Sequence, residues 1–237
     1  MKLKLISLIA ASVAFLGGQT SFAQLKTDTV KESGTYRYSD SSKYNYKFSI
    51  SLEYAASGIA KTAVNKINQG ISDSVFGIQY DGDIKGMVEA YRDLCVRDFK
   101  EENVESDWAL TEKGSFGETY GNKRSYIFTS TIECGNPNPV VSKTAVVFDT
   151  RTGAILTERD ILLPGYEITL PGLIAKHKFD TRKDINYFPD AIWTSNNFYV
   201  TSKGITFVYN PFDVAPSSEG IMEITVPWQE LKPIMDK

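Results

Sequence analysis

The sequence predicts an α+β fold in which an antiparallel β-sheet carries two main α-helices on one face, with short helical turns at the C-terminal end. Three observations lead there. From Tyr44 to Tyr54 every even position is apolar or aromatic and every odd one is polar, the period of a half-buried strand. Two stretches that follow repeat apolar residues at helical spacing. Beyond Asn103 the strand period returns without regular strand–helix alternation, the order of an α+β rather than an α/β chain.

Residues 24–43 are polar and rich in Thr, Ser, Lys and Asp, which predicts a tether followed by a first edge strand near Thr35–Tyr38. After the Tyr44–Tyr54 strand, Ser57 is placed to cap a helix with the stripe Ala60, Ala63, Val64, Ile67, Ile71 and Val75, and Gly77 lies where it would end. A second helix is expected from Asp83 to Glu101 on Ile84, Val88, Tyr91, Cys95 and Phe99. Strands are expected at Trp108–Glu112, Ser115–Tyr120, Arg124–Cys134 and Ser142–Asp149, with Asp149 to Gly153 as a hairpin turn. Thr157 followed by Asp160 has the spacing of an N-cap, and a short helix is expected around Pro171–Lys178. Strands Phe198–Thr201, Ile205–Tyr209 and Ile221–Val226 and a helical turn at Trp228–Ile234 close the chain. The expected organisation is an N-terminal strand–helix–helix–strand part over 44–145 and a C-terminal part over 146–237.

Residues 1–23 read as a secretory signal peptide: Lys2 and Lys4, an apolar run from Leu5 to Leu16, and Ser21-Phe22-Ala23 before a cleavage point. The run is shorter than the about 18 apolar residues a membrane span needs, so the mature chain is expected to carry no span and to be periplasmic or extracellular. Cys95 and Cys134 both fall in the apolar phase of their elements. If they meet in that oxidising setting, the bridge closes a loop of about 40 residues and contributes about 4 kcal/mol; if not, they are two small buried hydrophobes, and both remain open.

In 237 residues with a net charge of −3, nothing suggests nucleic-acid binding. One histidine, His177, and two cysteines supply no metal site, and no glycine pattern cradles a nucleotide, so neither metal nor cofactor is expected. His177 reads as a solvated residue on a short basic stretch. Carboxylate-dependent hydrolysis needs only two acids, for which Glu118, Glu133, Asp149, Glu158, Asp160, Asp213 and Glu219 come into consideration. Asp149 and Asp160 are better explained by a turn and a helix start, and no catalytic residue is assigned. Tyr166, Tyr187, Phe188, Trp193 and Phe212 lie outside the alternating runs and are the freer aromatics for a contact surface.

Two segments carry a family resemblance. Phe198 to Leu231 has two short strands, the loop Asn210-Pro-Phe-Asp-Val-Ala-Pro216, then Gly220, a return strand and Pro227-Trp228. Upstream stands Asp149-Thr-Arg-Thr-Gly153, followed by Leu156-Thr157 and Asp160. The chain resembles the RsiV-like extracellular domain family in these segments, and more loosely in the early strand and the helix containing Asn65 and Asn68. Members form the extracytoplasmic parts of lysozyme-sensing anti-sigma factors or precede peptidoglycan deacetylase domains. Where members carry a Gly-Gly-Ala-His turn, this chain has Cys134-Gly-Asn-Pro-Asn-Pro139. The resemblance implies a non-enzymatic binding module of the bacterial cell envelope whose partner is a lysozyme-like protein or an envelope glycan. Asn210, Pro211, Phe212, Asp213, Pro216, Ser217 and Glu219 form the expected contact loop, braced by its prolines so that little entropy is lost on binding. The rival readings are a carboxylate-dependent hydrolase of peptidoglycan or glycans, and an envelope structural or assembly protein.

Overall fold

A computed structural model describes residues 24–102, 104–191 and 193–235. The expected signal segment lies outside the described residues, and among these no helix is long and apolar enough to cross a membrane. The fold is α+β, built on a six-stranded sheet and a three-stranded one.

The large sheet has the order β1 (Lys26–Arg37), β2 (Asn45–Ser57), β3 (Trp108–Tyr120), β4 (Lys123–Glu133), β5 (Val140–Asp149), β6 (Ile155–Leu156). Its edge strand β1 pairs with β2 along its whole length, so most of the expected polar tether is strand. A charged, exposed edge of this kind discourages pairing with other chains. The sheet is mixed rather than antiparallel throughout. Between β2 and β3 the chain passes through α1 (Lys61–Ile71) and α2 (Ile84–Glu101) and re-enters from the same end, so these two strands run parallel from Tyr46 opposite Trp108 to Leu52 opposite Gly114. The expected strands at 108–112 and 115–120 are one strand, irregular between Phe116 and Thr119.

Phe48, Ile50 and Leu52 of β2 are buried in one cluster with Ile67 and Ile71 of α1 and Val88 and Phe99 of α2. The first helix is not capped by Ser57, which belongs to β2; Ala60 precedes it with no side-chain cap, and a π-helical turn at Ser72–Phe76 carries it to Gly77 at φ 63°. The second begins as expected, with the Asp83 carboxylate accepting from the Lys85 amide at 2.9 Å.

The parallel pairing stops at Leu52, and Asn68 takes over. Its side chain accepts from the Ala55 amide and donates to the Ala55 carbonyl, both at 2.9 Å, so a helix residue completes the ladder of a strand. The same substitution recurs on β5. Asn197 Oδ1 accepts from the Ala145 amide and Nδ2 donates to the Lys143 carbonyl, each at 2.7 Å, while Asn210 Oδ1 accepts from the Lys143 amide at 2.7 Å.

The smaller sheet is β7 (Phe198–Val200), β8 (Gly204–Tyr209) and β9 (Met222–Pro227), with α3 (Tyr166–His177) and α4 (Trp228–Leu231) against it. Val200, Ile205, Phe207, Ile224 and Val226 form a second core with Leu170, Ile174 and Leu231. Strand β5 serves both cores: Val146 and Phe148 belong to the first, Val147 to the second. The division expected between residues 145 and 146 falls inside β5, in its buried half from Ala145 to Asp149. The turn Asp149 to Gly153 forms as read, with the Asp149 carboxylate accepting from the Arg151 amide at 2.7 Å and Gly153 at φ 76°. Thr157 and Asp160 form a reciprocal capping box.

Candidate functional site

The expected contact loop joins β8 to β9, and most of its polar groups are committed within the protein. Asn210 is clamped to β5, its backbone amide donates to the Asp213 carboxylate at 2.7 Å, and the Asp213 amide returns to the Asn210 carbonyl at 3.0 Å. Val214 and Ala215 are buried, and the Val214 carbonyl accepts from the Phe188 amide at 2.9 Å. Glu219 is held by Arg182, which bonds its carboxylate at 2.7 Å and its carbonyl at 2.9 Å. Ser217 is exposed at the start of a 3-10 turn. The large apolar side chain the loop presents is Phe212, 70% exposed.

Among the described residues Phe212 is the one non-glycine with a positive φ, 74°. An L side chain pays about 1–2 kcal/mol for that conformation. Pro211 before it, the Asn210–Asp213 bonds around it and buried Val214 after it hold it there. Phe212→Gly should therefore raise stability by about 1 kcal/mol, read as an upward shift of the thermal unfolding midpoint, because an exposed ring gives up little packing. An unchanged or lowered midpoint would show that the backbone there is unstrained.

The other freer aromatics divide. Tyr166, Tyr187 and Trp193 pack against the second core, with the Tyr187 and Trp193 rings 5.0 Å apart edge to face. The Lys178 ammonium lies 5.1 Å from the Trp193 and Phe179 ring centres and 5.4 Å from that of Tyr187. Phe188 remains partly exposed. His177 is not solvated: its side chain is wedged between Asp180 at 2.6 Å and Glu230 at 3.2 Å. The considered carboxylates mostly have structural work, since Glu118 accepts from the Ser202 amide at 2.6 Å and Asp149, Asp160, Asp213 and Glu219 hold turns and the loop.

Cys95 and Cys134 are free thiols in the structure. Cys134 follows β4 and its sulfur accepts from Asn136 Nδ2 at 3.4 Å. Cys95 lies on α2 in a cavity of about 280 Å³ between that helix and strands β2–β4. Burial pushes its thiol up from the usual range. The cavity holds one further feature, a buried acid.

That feature is Glu112, on the core face of β3 and only 4% exposed. Its Oε1 accepts from the Tyr91 hydroxyl at 2.9 Å and the Ser130 hydroxyl at 3.2 Å, while Oε2 is buried with no partner. Desolvation pushes its carboxyl up to about 7, against the lowering effect of the two hydroxyls. The signal was in the alternation: Leu110, Glu112, Gly114 and Phe116 share a phase, so an acid stands where the strand is otherwise apolar. Among the described residues no group of three His, Cys, Asp or Glu is placed to hold a metal ion.

Residues 159–229 match the family described as "Protein of unknown function (DUF3298)". The DUF3298 match takes in α3, the three-stranded sheet and the Phe212 loop, and leaves Glu112 outside. Two solved structures of DUF3298 proteins share the fold. One, from Bacteroides fragilis, is 18% identical and superposes with a TM-score of 0.79, covering 91% of this chain and 95% of its own. The other, from Pseudomonas aeruginosa, is 14% identical with a TM-score of 0.61, covering 91% and 96%. No curated protein matches the chain.

Proposed function

We propose that this protein is an exported, non-enzymatic binding module of the bacterial cell envelope that engages a lysozyme-like protein or an envelope glycan through the loop from Asn210 to Gly220. The observation that carries the reading is Phe212: an exposed ring held in a costly backbone conformation by the Asn210–Asp213 bonds on either side of it, in a loop whose Asn210, Asp213 and Glu219 are all bonded within the protein. Backbone strain of this kind persists where the surroundings over-determine it, and it concentrates at ligand contacts. A rigid aromatic also loses little entropy on binding, which suits an anchor in a partner's pocket. The structural employment of Asp213 and Glu219 supports binding over hydrolysis, since a carboxylate already accepting from an amide or a guanidinium is poorly placed to move protons.

The test is calorimetric titration of the folded protein with lysozyme and, separately, with soluble peptidoglycan fragments. One of them should bind at micromolar concentration, and Phe212→Ala should weaken it at least about tenfold with the unfolding midpoint preserved, the loss of one buried aromatic anchor. Absence of heat from both probes, or equal binding by the variant, would count against the loop.

A further inference from the structure

The cavity around Glu112 is independent of the loop and lies outside the DUF3298 match. Its walls include the rings of Tyr46, Tyr91, Phe99 and Trp108, with Tyr46 and Phe99 stacked at 5.1 Å. Its rim carries Asp98 and Glu102, both exposed. At its floor stands a carboxylate with one oxygen unpaired, and among the described residues no lysine, arginine or histidine forms an ion pair with Glu112. A buried acid normally acquires a countercharge or a donor for each oxygen. A cation that donates a hydrogen bond would meet both needs of the ionised carboxylate, and aromatic walls favour such a group through their negative ring faces. The chain already uses this chemistry elsewhere, where Lys178 lies over three rings.

We infer that the cavity between α2 and strands β2–β4 is a binding site for a primary alkylammonium group, its N–H donating to Glu112 Oε2 and its alkyl stem lying among Tyr46, Tyr91, Phe99 and Trp108. The groups facing Glu112 are Tyr91 and Cys95 from α2, Tyr46 from β2 and Ser130 from β4, with Asp98 nearby on α2. All of these are neutral or acidic, and burial raises Tyr46, Tyr91 and Cys95 further above neutrality. Glu112 is therefore the group that titrates near neutral pH, and its ionised form is the one that attracts the ligand.

The test uses n-butylammonium, with n-butanol as its uncharged counterpart, titrated into the protein by calorimetry at pH 8.5 and pH 5.5 at constant ionic strength. At pH 8.5 the cation should bind saturably and at least about tenfold more tightly than the alcohol, the margin of a desolvated charge over a neutral donor. Its affinity should fall about thirtyfold by pH 5.5, the change in ionised fraction of a group titrating at about 7. Glu112→Gln, checked for folding by its melting curve, should abolish the preference for the cation. Equal binding of cation and alcohol, an affinity independent of pH, or wild-type binding by Glu112→Gln would overturn the assignment, as would absence of saturable binding at pH 8.5. Should the variant fail to fold, the two-pH comparison on the unaltered protein decides alone.

Discussion

Replacing Glu112 by glutamine should stabilise the protein at pH 8 by about 3 kcal/mol, with the gain vanishing by pH 4. The sign follows from the carboxyl's two environments. Its folded value of about 7 stands above the ordinary 4.5, so the folded state holds the proton more tightly than the unfolded chain does. At pH 4 both states are protonated and glutamine mimics the acid closely. As pH rises from 4.5 towards 7 the unfolded chain ionises first, and stability drains away; above about 7 the loss is complete and constant. Each unit of separation is worth about 1.4 kcal/mol, which sets the total. Glutamine cannot ionise and keeps a polar end for Tyr91 and Ser130, so it escapes the loss. Urea unfolding at pH 4, 6 and 8 reads the effect directly. An advantage that does not grow with pH would mean that the folded carboxyl titrates in the ordinary range.

Asn68→Ala should cost about 3 kcal/mol. The side chain is buried, and its two 2.9 Å bonds are the partners of the Ala55 amide and carbonyl beyond the end of the β2–β3 pairing. Removing it leaves the buried Ala55 without a partner for either its donor or its acceptor, and each unmet group costs about 1–3 kcal/mol. Asn68→Asp sharpens the test. Ionised, it offers no donor to the Ala55 carbonyl and buries a charge; protonated, it can accept from the amide and donate to the carbonyl as asparagine does. The aspartate variant should therefore be severely weakened at pH 7 and partly restored in acid, measured by chemical denaturation at the two pH values. A mild, pH-independent loss would show that Ala55 finds other partners.

Both positions mark where the sequence stopped being readable. The even face of β2, the start of α2 near Asp83, the Asp149 to Gly153 turn and the Thr157–Asp160 box were legible because each depends on residues within a few positions of one another. Strand β1 was mostly hidden, since an edge strand with charged exposed positions lacks the apolar alternation that announces its neighbour. The parallel direction of β2 and β3 was not written locally either, being set by two helices returning the chain to its starting end. Asn68, Asn197 and Asn210 look like loop or helix-surface residues in the sequence, and their task appears only when a strand edge 13 to 67 residues away needs closing. For the candidate sites the division is similar. The Pro-flanked loop was legible as a loop, but Phe212's left-handed backbone was not, because that conformation is imposed by Asn210, Asp213 and the buried Val214 together. Glu112 was visible as an acid in an apolar phase, yet its unpaired oxygen follows from the packing of α2 over β3.

The asparagine clamp on β5 also bears on what this protein avoids becoming. Strand β6 covers only Val147 and Phe148 on that side of the sheet, so the outward amides and carbonyls of Lys143 and Ala145 would otherwise form an open template for a strand from another molecule. Two side-chain amides occupy that template without supplying an edge of their own. The chain thereby ends its large sheet against its small one, and a protein crowded among its own copies is denied a route to self-assembly through strand exchange.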